Sequence, residues 1–251
     1  MTSDTRPTTP PKHSLWVRST HGIMTVSFLA LAFSGFVILM CHPRLYWGEV
    51  GNDLTPALLE LPVSRNHQHG GWEKSVPFFD APASPVSASR TYVIFNQNGW
   101  GRSLHFLAAW FLVLPGAVYL LYGILSGHLW RHLVPQGHEW TWIQFWQEFR
   151  SHWQLRIRPG TGGPQYGLFQ KFAYATVVLV AFPLAVVTGL AMSPAITTAY
   201  PFLSGMFGGF QSARTVHFFT SVLLILFVLV HLAMVIRSGF KRQIRAITLG
   251  E

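Results

Sequence analysis

Long apolar stretches alternate with short polar ones along this chain. Runs without Asp, Glu, Lys or Arg cover residues 21–41, 103–130, 172–213 and 215–236. Each reaches the length of about 20 residues that a helix needs to cross some 30 Å of hydrocarbon. The third run is too long for one helix, and Ser193-Pro194, Tyr200-Pro201 and the Gly-rich stretch 204–210 end it near Met192. The pattern predicts four spans, near residues 15–41, 103–127, 169–192 and 213–236. The fold class it implies is an all-α membrane protein, a bundle of four transmembrane helices over residues 15–251.

The polar stretches differ among themselves. Residues 1–14, rich in Thr and Pro, read as a disordered tail. The segment 42–101 is too long for a simple connection. Its first half is aromatic and acidic (Leu45-Tyr46-Trp47-Gly48-Glu49, then 55–61), and its second half, around 77–89, is rich in Pro and Ser. It reads as an extracytoplasmic cap with a mobile arm, suited to grip a partner. The connection 128–168 carries Trp140, Trp142, Trp146 and Trp153 at near-helical spacing, which predicts an amphipathic helix lying in the interface. No internal repeat is visible.

Charge fixes an orientation for these spans. Only 11% of residues are charged, against about 25% in a soluble domain, and the charges lie between the apolar runs. With the N-terminus in the cytoplasm, the inner segments hold twelve of the eighteen Lys and Arg residues, as cytoplasmic loops do. The five basic residues of the outer loop are matched by Glu49, Asp53, Glu60, Glu73 and Asp80. The pI near 10.2 is therefore a topology signal, and nucleic acid, which wants a soluble basic face, is not a partner. The first apolar run exceeds the 7–15 residues of a signal-peptide core and no small-residue cleavage site follows, so it is expected to persist as a span. Cys41 is the one cysteine, which excludes an intrachain disulfide, a C-x-x-C-H haem attachment and an iron-sulfur cluster held by this chain alone.

Four histidines stand inside the spans: His21 in the first, His105 in the second, His217 and His231 in the fourth. Fourteen residues separate the last two, nearly four turns, so both leave one helix face about 21 Å apart. An unpaired polar group in hydrocarbon costs several kcal/mol, so intramembrane histidines suggest function. Depth pairs His21 with His231 near the inner face and His105 with His217 near the outer. Two imidazoles on one iron leave no open coordination position. The pattern reads as two non-covalent bis-histidine haem b groups, one near each face, forming a path for electrons across the bilayer. The imidazoles' second nitrogens are expected to donate to carbonyls or hydroxyls elsewhere in the bundle, which the sequence does not identify.

Arg18, Arg102 and Arg214 each precede one of these histidines by three residues, one turn nearer the membrane surface. They are candidates for pairing with haem propionates, or they snorkel to headgroups as interfacial anchors. Gly35, Gly116 and Gly189 lie mid-span and suit close helix contact, with room for a flat macrocycle as the alternative. Pro115 and Pro183 are expected to kink their helices. Seven of the other eight histidines, His42, His67, His69, His128, His132, His138 and His152, lie outside the spans or at their edges and read as surface residues, and His13 falls in the N-terminal tail.

With this ligand layout the chain resembles the b-type cytochrome subunits of membrane-bound formate dehydrogenases, nickel-iron hydrogenases and, most closely, thiosulfate-reductase-type enzymes, and bacterial cytochrome b561-like proteins. The resemblance covers all four spans and rests on His21, His105 and the His217/His231 spacing, with His42-Pro43-Arg44-Leu45-Tyr46-Trp47-Gly48-Glu49 as a subgroup-like feature. It implies the same pairing of ligands. It also implies location in the bacterial inner membrane and electron exchange between the quinone pool and a peripheral catalytic subunit on the outer face, often a molybdopterin enzyme. The family's Tyr-Asn-x-x-Gln-Lys stretch at the start of the third span, part of a quinone pocket, reads here Tyr166-Gly167-Leu168-Phe169-Gln170-Lys171. Gln170 and Lys171 remain as candidate quinone donors, and Lys171 is also an inner-face topology residue. By this reading the chain is an electron-transfer subunit, not the catalytic one. Two rivals stand beside it: a stand-alone cytochrome b561-type oxidoreductase passing electrons from a small soluble donor to quinone, and a non-redox His-rich metal carrier or anchor, which the lack of Asp or Glu within the spans disfavours.

Overall fold

The computed structural model describes residues 14–52, 55–64, 98–132, 142–143, 146, 149–150 and 168–250. Among the described residues four helices are long and apolar enough to cross a membrane. The first, α1 (Leu15–Cys41), starts at Ser14, whose hydroxyl accepts from the Val17 amide at 3.4 Å. It stops at His42, the residue before Pro43, where helical backbone is disfavoured. The predicted tail lies outside the described residues except for this capping serine. After α1 a two-residue strand β1 (Arg44–Leu45) pairs antiparallel with β2 (Leu59–Glu60), Arg44 opposite Glu60 and Leu45 opposite Leu59. The predicted mobile arm at 77–89 lies outside the described residues.

The second span, α2 (Asn98–Leu125), begins five residues earlier than predicted. An uncharged-run criterion stops at Arg102, but a helix continues through the headgroup zone, where Trp100 packs on Phe33 of α1 at 5.9 Å. A short helix, α3 (His128–His132), follows, and its Leu129 fills the notch left by Gly123. In the next connection the described residues 142–143, 146 and 149–150 are helical. Trp142, Trp146 and Phe149 stack there with ring centres 6.3 and 5.3 Å apart. Trp140 and Trp153 lie outside the described residues.

The third span is built in three pieces: α4 (Leu168–Thr176), a π-helical turn (Val177–Ala181) and α5 (Phe182–Ala191). Pro183 explains the middle piece. Its ring has no N–H and would collide with the carbonyl four residues back. Widening the preceding turn relieves this, and the Phe182 amide donates to Val177 five residues away. The link to the fourth span contains α6 (Pro194–Ala199) and α7 (Phe202–Gly205). The fourth span, α8 (Phe210–Arg237), starts behind Gly209 and is followed by α9 (Phe240–Thr248), a basic amphipathic helix that the apolar pattern did not predict.

The helices associate as two pairs, α1 with α2 and α5 with α8. Gly116 brings α2 against α5: a Cβ there would lie 2.5 Å from the Phe182 ring. Its role is close helix packing. At one end of the bundle Arg18 in α1 donates through Nε to the Thr248 carbonyl at 3.1 Å, which places the start of α1 beside the end of α9.

At the other end the β hairpin forms a cap stapled to the start of α8. Thr215 donates to the Tyr46 carbonyl at 2.6 Å, the Gly48 amide to Ser212 Oγ at 2.7 Å, and the Gln211 and Ser212 amides to the Gly48 carbonyl at 3.0 and 3.2 Å. Glu49 accepts from the Phe210 amide at 3.0 Å, a carboxylate at a helix N-terminus. Gly209 has φ +123°, and a Cβ would sit 2.6 Å from the Gly48 backbone. Ser64 donates to the Met40 carbonyl at 2.6 Å from the hairpin's far side.

Candidate functional site

His105 and His217, on α2 and α8, face each other at the cap end with ring centres 6.3 Å apart and planes at 65°. Both rings have one nitrogen already engaged. His105 Nδ1 lies 3.0 Å from Ser34 Oγ, and His217 Nδ1 lies 2.9 Å from Thr188 Oγ1. Each hydroxyl sends its own proton to the carbonyl four residues back, Ser34 to Ala30 and Thr188 to Leu184, both at 2.6 Å. Each oxygen is then left to accept, and this network, with the Leu31 and Ala185 carbonyls as further acceptors, assigns each imidazole as the Nδ1–H tautomer. The Nε2 lone pairs are the ones kept for a metal. Gly35 and Gly189, next in sequence to the two hydroxyl residues, lie along the ring edges: a Cβ would stand 3.5 Å from His105 Cε1 and 3.6 Å from His217 Cε1.

Sequence reasoning expected hydroxyl or carbonyl partners for the rings without finding Ser34 and Thr188. The available signal was a hydroxyl residue in the middle of an apolar span, which needs a reason for its place. Both side chains are fully buried.

The other two histidines stand at the opposite end. His21 lies one turn beyond Arg18 on α1, and His231 lies two turns before the end of α8. His21 Nδ1 lies 3.4 Å from Thr25 Oγ1 on its own helix, and that hydroxyl donates to the His21 carbonyl at 2.8 Å. The His231 ring stacks on Phe227, centres 6.3 Å apart, and Phe227 meets Tyr174 of α4 edge-on at 5.7 Å.

The comparison with known families bears on this site. The chain matches the prokaryotic cytochrome b561 family over residues 12–250. The chain belongs to that family. It is 26% identical over 226 residues to a protein of Azospira oryzae described as a putative protein-methionine-sulfoxide reductase subunit, YedZ1, covering 89% of each chain. No solved structure matches it. This cytochrome is thus a membrane haem protein of a family that binds haem b and moves electrons across membranes.

The donor chemistry fits that group. With a metal–nitrogen bond of about 2 Å, two imidazoles on one ion have ring centres about 6 Å apart, and the pair at the cap end is separated by 6.3 Å. Among the described residues no group of three or more His, Cys, Asp or Glu side chains is arranged to hold a metal ion by itself. His105 and His217 are the residues that would hold iron at the cap end, and a bis-imidazole haem supplies one-electron exchange with no open coordination position.

The arginines that precede the histidines have contacts within the chain. Arg214 donates through Nη1 to the Arg44 carbonyl at 2.9 Å and through Nη2 to the His42 carbonyl, so it ties the cap to α8. Arg102 is exposed, with its guanidinium carbon 5.9 Å from the Phe106 ring centre. Arg18 is engaged by Thr248. At the start of the third span Lys171 is buried and Gln170 half-buried, one turn before Tyr174. In the cap, Tyr46 is fully buried and stacks on His42 at 5.7 Å, while Trp47 is 63% exposed. Of those two aromatic residues only Trp47 offers a surface to a partner.

Proposed function

We propose that this chain is the two-haem membrane subunit of a reductase, carrying electrons from quinol to a soluble redox partner docked on the cap. The observation that carries the reading is the facing pair His105 and His217, each locked as the Nδ1–H tautomer by a buried hydroxyl. His21 and His231 are the second pair of axial ligands, and Arg18, Arg102 and Arg214, each three residues before a ligand in the sequence, are the candidates to pair with the propionates. The fourteen-residue spacing separates His217 and His231 by about 21 Å along α8, which supports one haem near each face.

The distribution of Lys and Arg supports an orientation with both termini in the cytoplasm and the cap outside. Gln170 and Lys171 then lie at the inner end, where their donors suit a quinone carbonyl. The partner is a molybdopterin-type oxidoreductase that contacts Trp47. The name of the Azospira relative supports a reductase acting on oxidised methionine in proteins. Such a reaction balances: quinol gives two electrons and two protons as it becomes quinone, and the sulfoxide takes two of each to yield the thioether and water.

The test is a reduced-minus-oxidised spectrum of the purified chain with extracted haem counted per polypeptide. Two non-covalent haems with low-spin bands, reducible by added quinol, are expected. A folded, haem-free protein overturns the reading. Turnover by the single chain with a small soluble donor transfers it to the stand-alone oxidoreductase class.

A further inference from the structure

The two halves of the cap-end site are built alike. In one, α1 contributes Ser34-Gly35 and α2 contributes His105; in the other, α5 contributes Thr188-Gly189 and α8 contributes His217. Each is one of the two closely packed helix pairs. The hydroxyl-to-ring distances are 3.0 and 2.9 Å, and both hydroxyls give their protons to the carbonyl one turn back at 2.6 Å. We propose that Ser34 and Thr188 are matched positioning residues for the cap-end haem iron, orienting the two axial imidazoles and holding the iron's reduction potential down.

A serine or threonine inside an apolar helix satisfies itself by bonding to the carbonyl four residues back. It has no need of the histidine. The imidazole has the need, because an Nδ1–H in hydrocarbon without an acceptor costs several kcal/mol, and here the hydroxyl shares that role with the backbone carbonyl of Leu31 for His105 and of Ala185 for His217. The bond therefore fixes the ring and not the hydroxyl. It does so from both sides of the iron, with the glycine that follows each hydroxyl residue lying along the Cε1 edge of the ring. A hydrogen bond from Nδ1 also makes the imidazole a more basic ligand. More electron density on the iron favours the ferric state over the ferrous, so these bonds lower the potential. His21 has a different arrangement. Its Nδ1 meets a hydroxyl of its own helix at 3.4 Å.

The inference rests on the reading that His105 and His217 ligate iron, and the experiment separates the two. Haem is first counted in His105→Ala: a fall by one per chain establishes the site, whereas an unchanged count removes the underlying reading. The full-length holoprotein is then titrated electrochemically and examined by low-temperature electron paramagnetic resonance as Thr188→Val, Thr188→Ser and Ser34→Ala. Thr188→Val keeps the shape and loses the hydroxyl; Thr188→Ser does the reverse. The expected result is an upward shift of one haem's potential with altered low-spin g values in Thr188→Val and Ser34→Ala. The second haem stays where it was, and Thr188→Ser behaves as the parent protein. If Thr188→Val loses the haem, retention in Thr188→Ser supports the proposal and equal loss in both overturns it. Parent-like potentials and g values in both hydroxyl-free variants also overturn it.

Discussion

Arg214 donates through Nη1 to the backbone carbonyl of Arg44 at 2.9 Å, and this bond ties the cap to the fourth span one turn before His217. The neighbouring carbonyl of His42 takes Nη2. A hydrogen bond to a charged group contributes about 1.5–3 kcal/mol, so Arg214→Ala is expected to cost about 2–5 kcal/mol at the cap. Limited proteolysis within residues 43–64 should accelerate and thermal unfolding should begin earlier. Unchanged cleavage there would show that the tether is not what holds the cap.

Gly209 and Gly205 make a controlled pair. Gly209 sits at φ +123° with its would-be Cβ 2.6 Å from the Gly48 backbone, whereas a Cβ on Gly205 meets nothing within 4 Å. Gly209→Ala should cost on the order of 1–3 kcal/mol of backbone strain and part the cap from α8. Gly205→Ala should be near neutral. Thermal melts of the two variants side by side decide this, and equal melting points would refute it.

Removing an axial ligand should remove one haem and leave the other. His217→Ala is expected to empty the cap-end site, and His231→Ala the opposite one, so haem extracted per chain falls from two to one in each. The residual reduced spectra should differ, because a different haem survives in each variant. Identical residual spectra would reassign the ligands.

Gln170 and Lys171 are tested together. Their double replacement by alanine should slow quinol-driven reduction about tenfold, equivalent to about 1.4 kcal/mol of transition-state stabilisation, with haem content intact. Full-rate reduction moves the quinone site elsewhere.

Trp47 is the exposed aromatic of the cap and Tyr46 the buried one. Trp47→Ala should weaken association with the soluble partner by about 2 kcal/mol, as central aromatic residues of interfaces do, while leaving the melting temperature unchanged. Tyr46→Ala should act the other way, lowering stability first. Affinity measured on detergent-solubilised complex separates the two, and undiminished affinity in Trp47→Ala would place the docking surface elsewhere.

The four spans were legible in the sequence because hydrocarbon imposes a length and a charge rule that act along one dimension. The first span, expected near 15–41 from its apolar run, is Leu15–Cys41. Ends that extend into the polar zone, such as the start of α2 at Asn98, were not legible. The amphipathic α9 went unread because its signal lies in the placement of basic residues around a helix and not in a run.

The spacing of His217 and His231 and the depths of His21 and His105 came from the sequence alone, since the rise of a helix is constant. The tertiary structure decided which side chains meet: Ser34 with His105, Thr188 with His217, Arg214 with the cap carbonyls. A span that is apolar on all sides carries no stripe to say which face turns inward. Rotation about the helix axis is set by packing against neighbours, and only the packed bundle contains it.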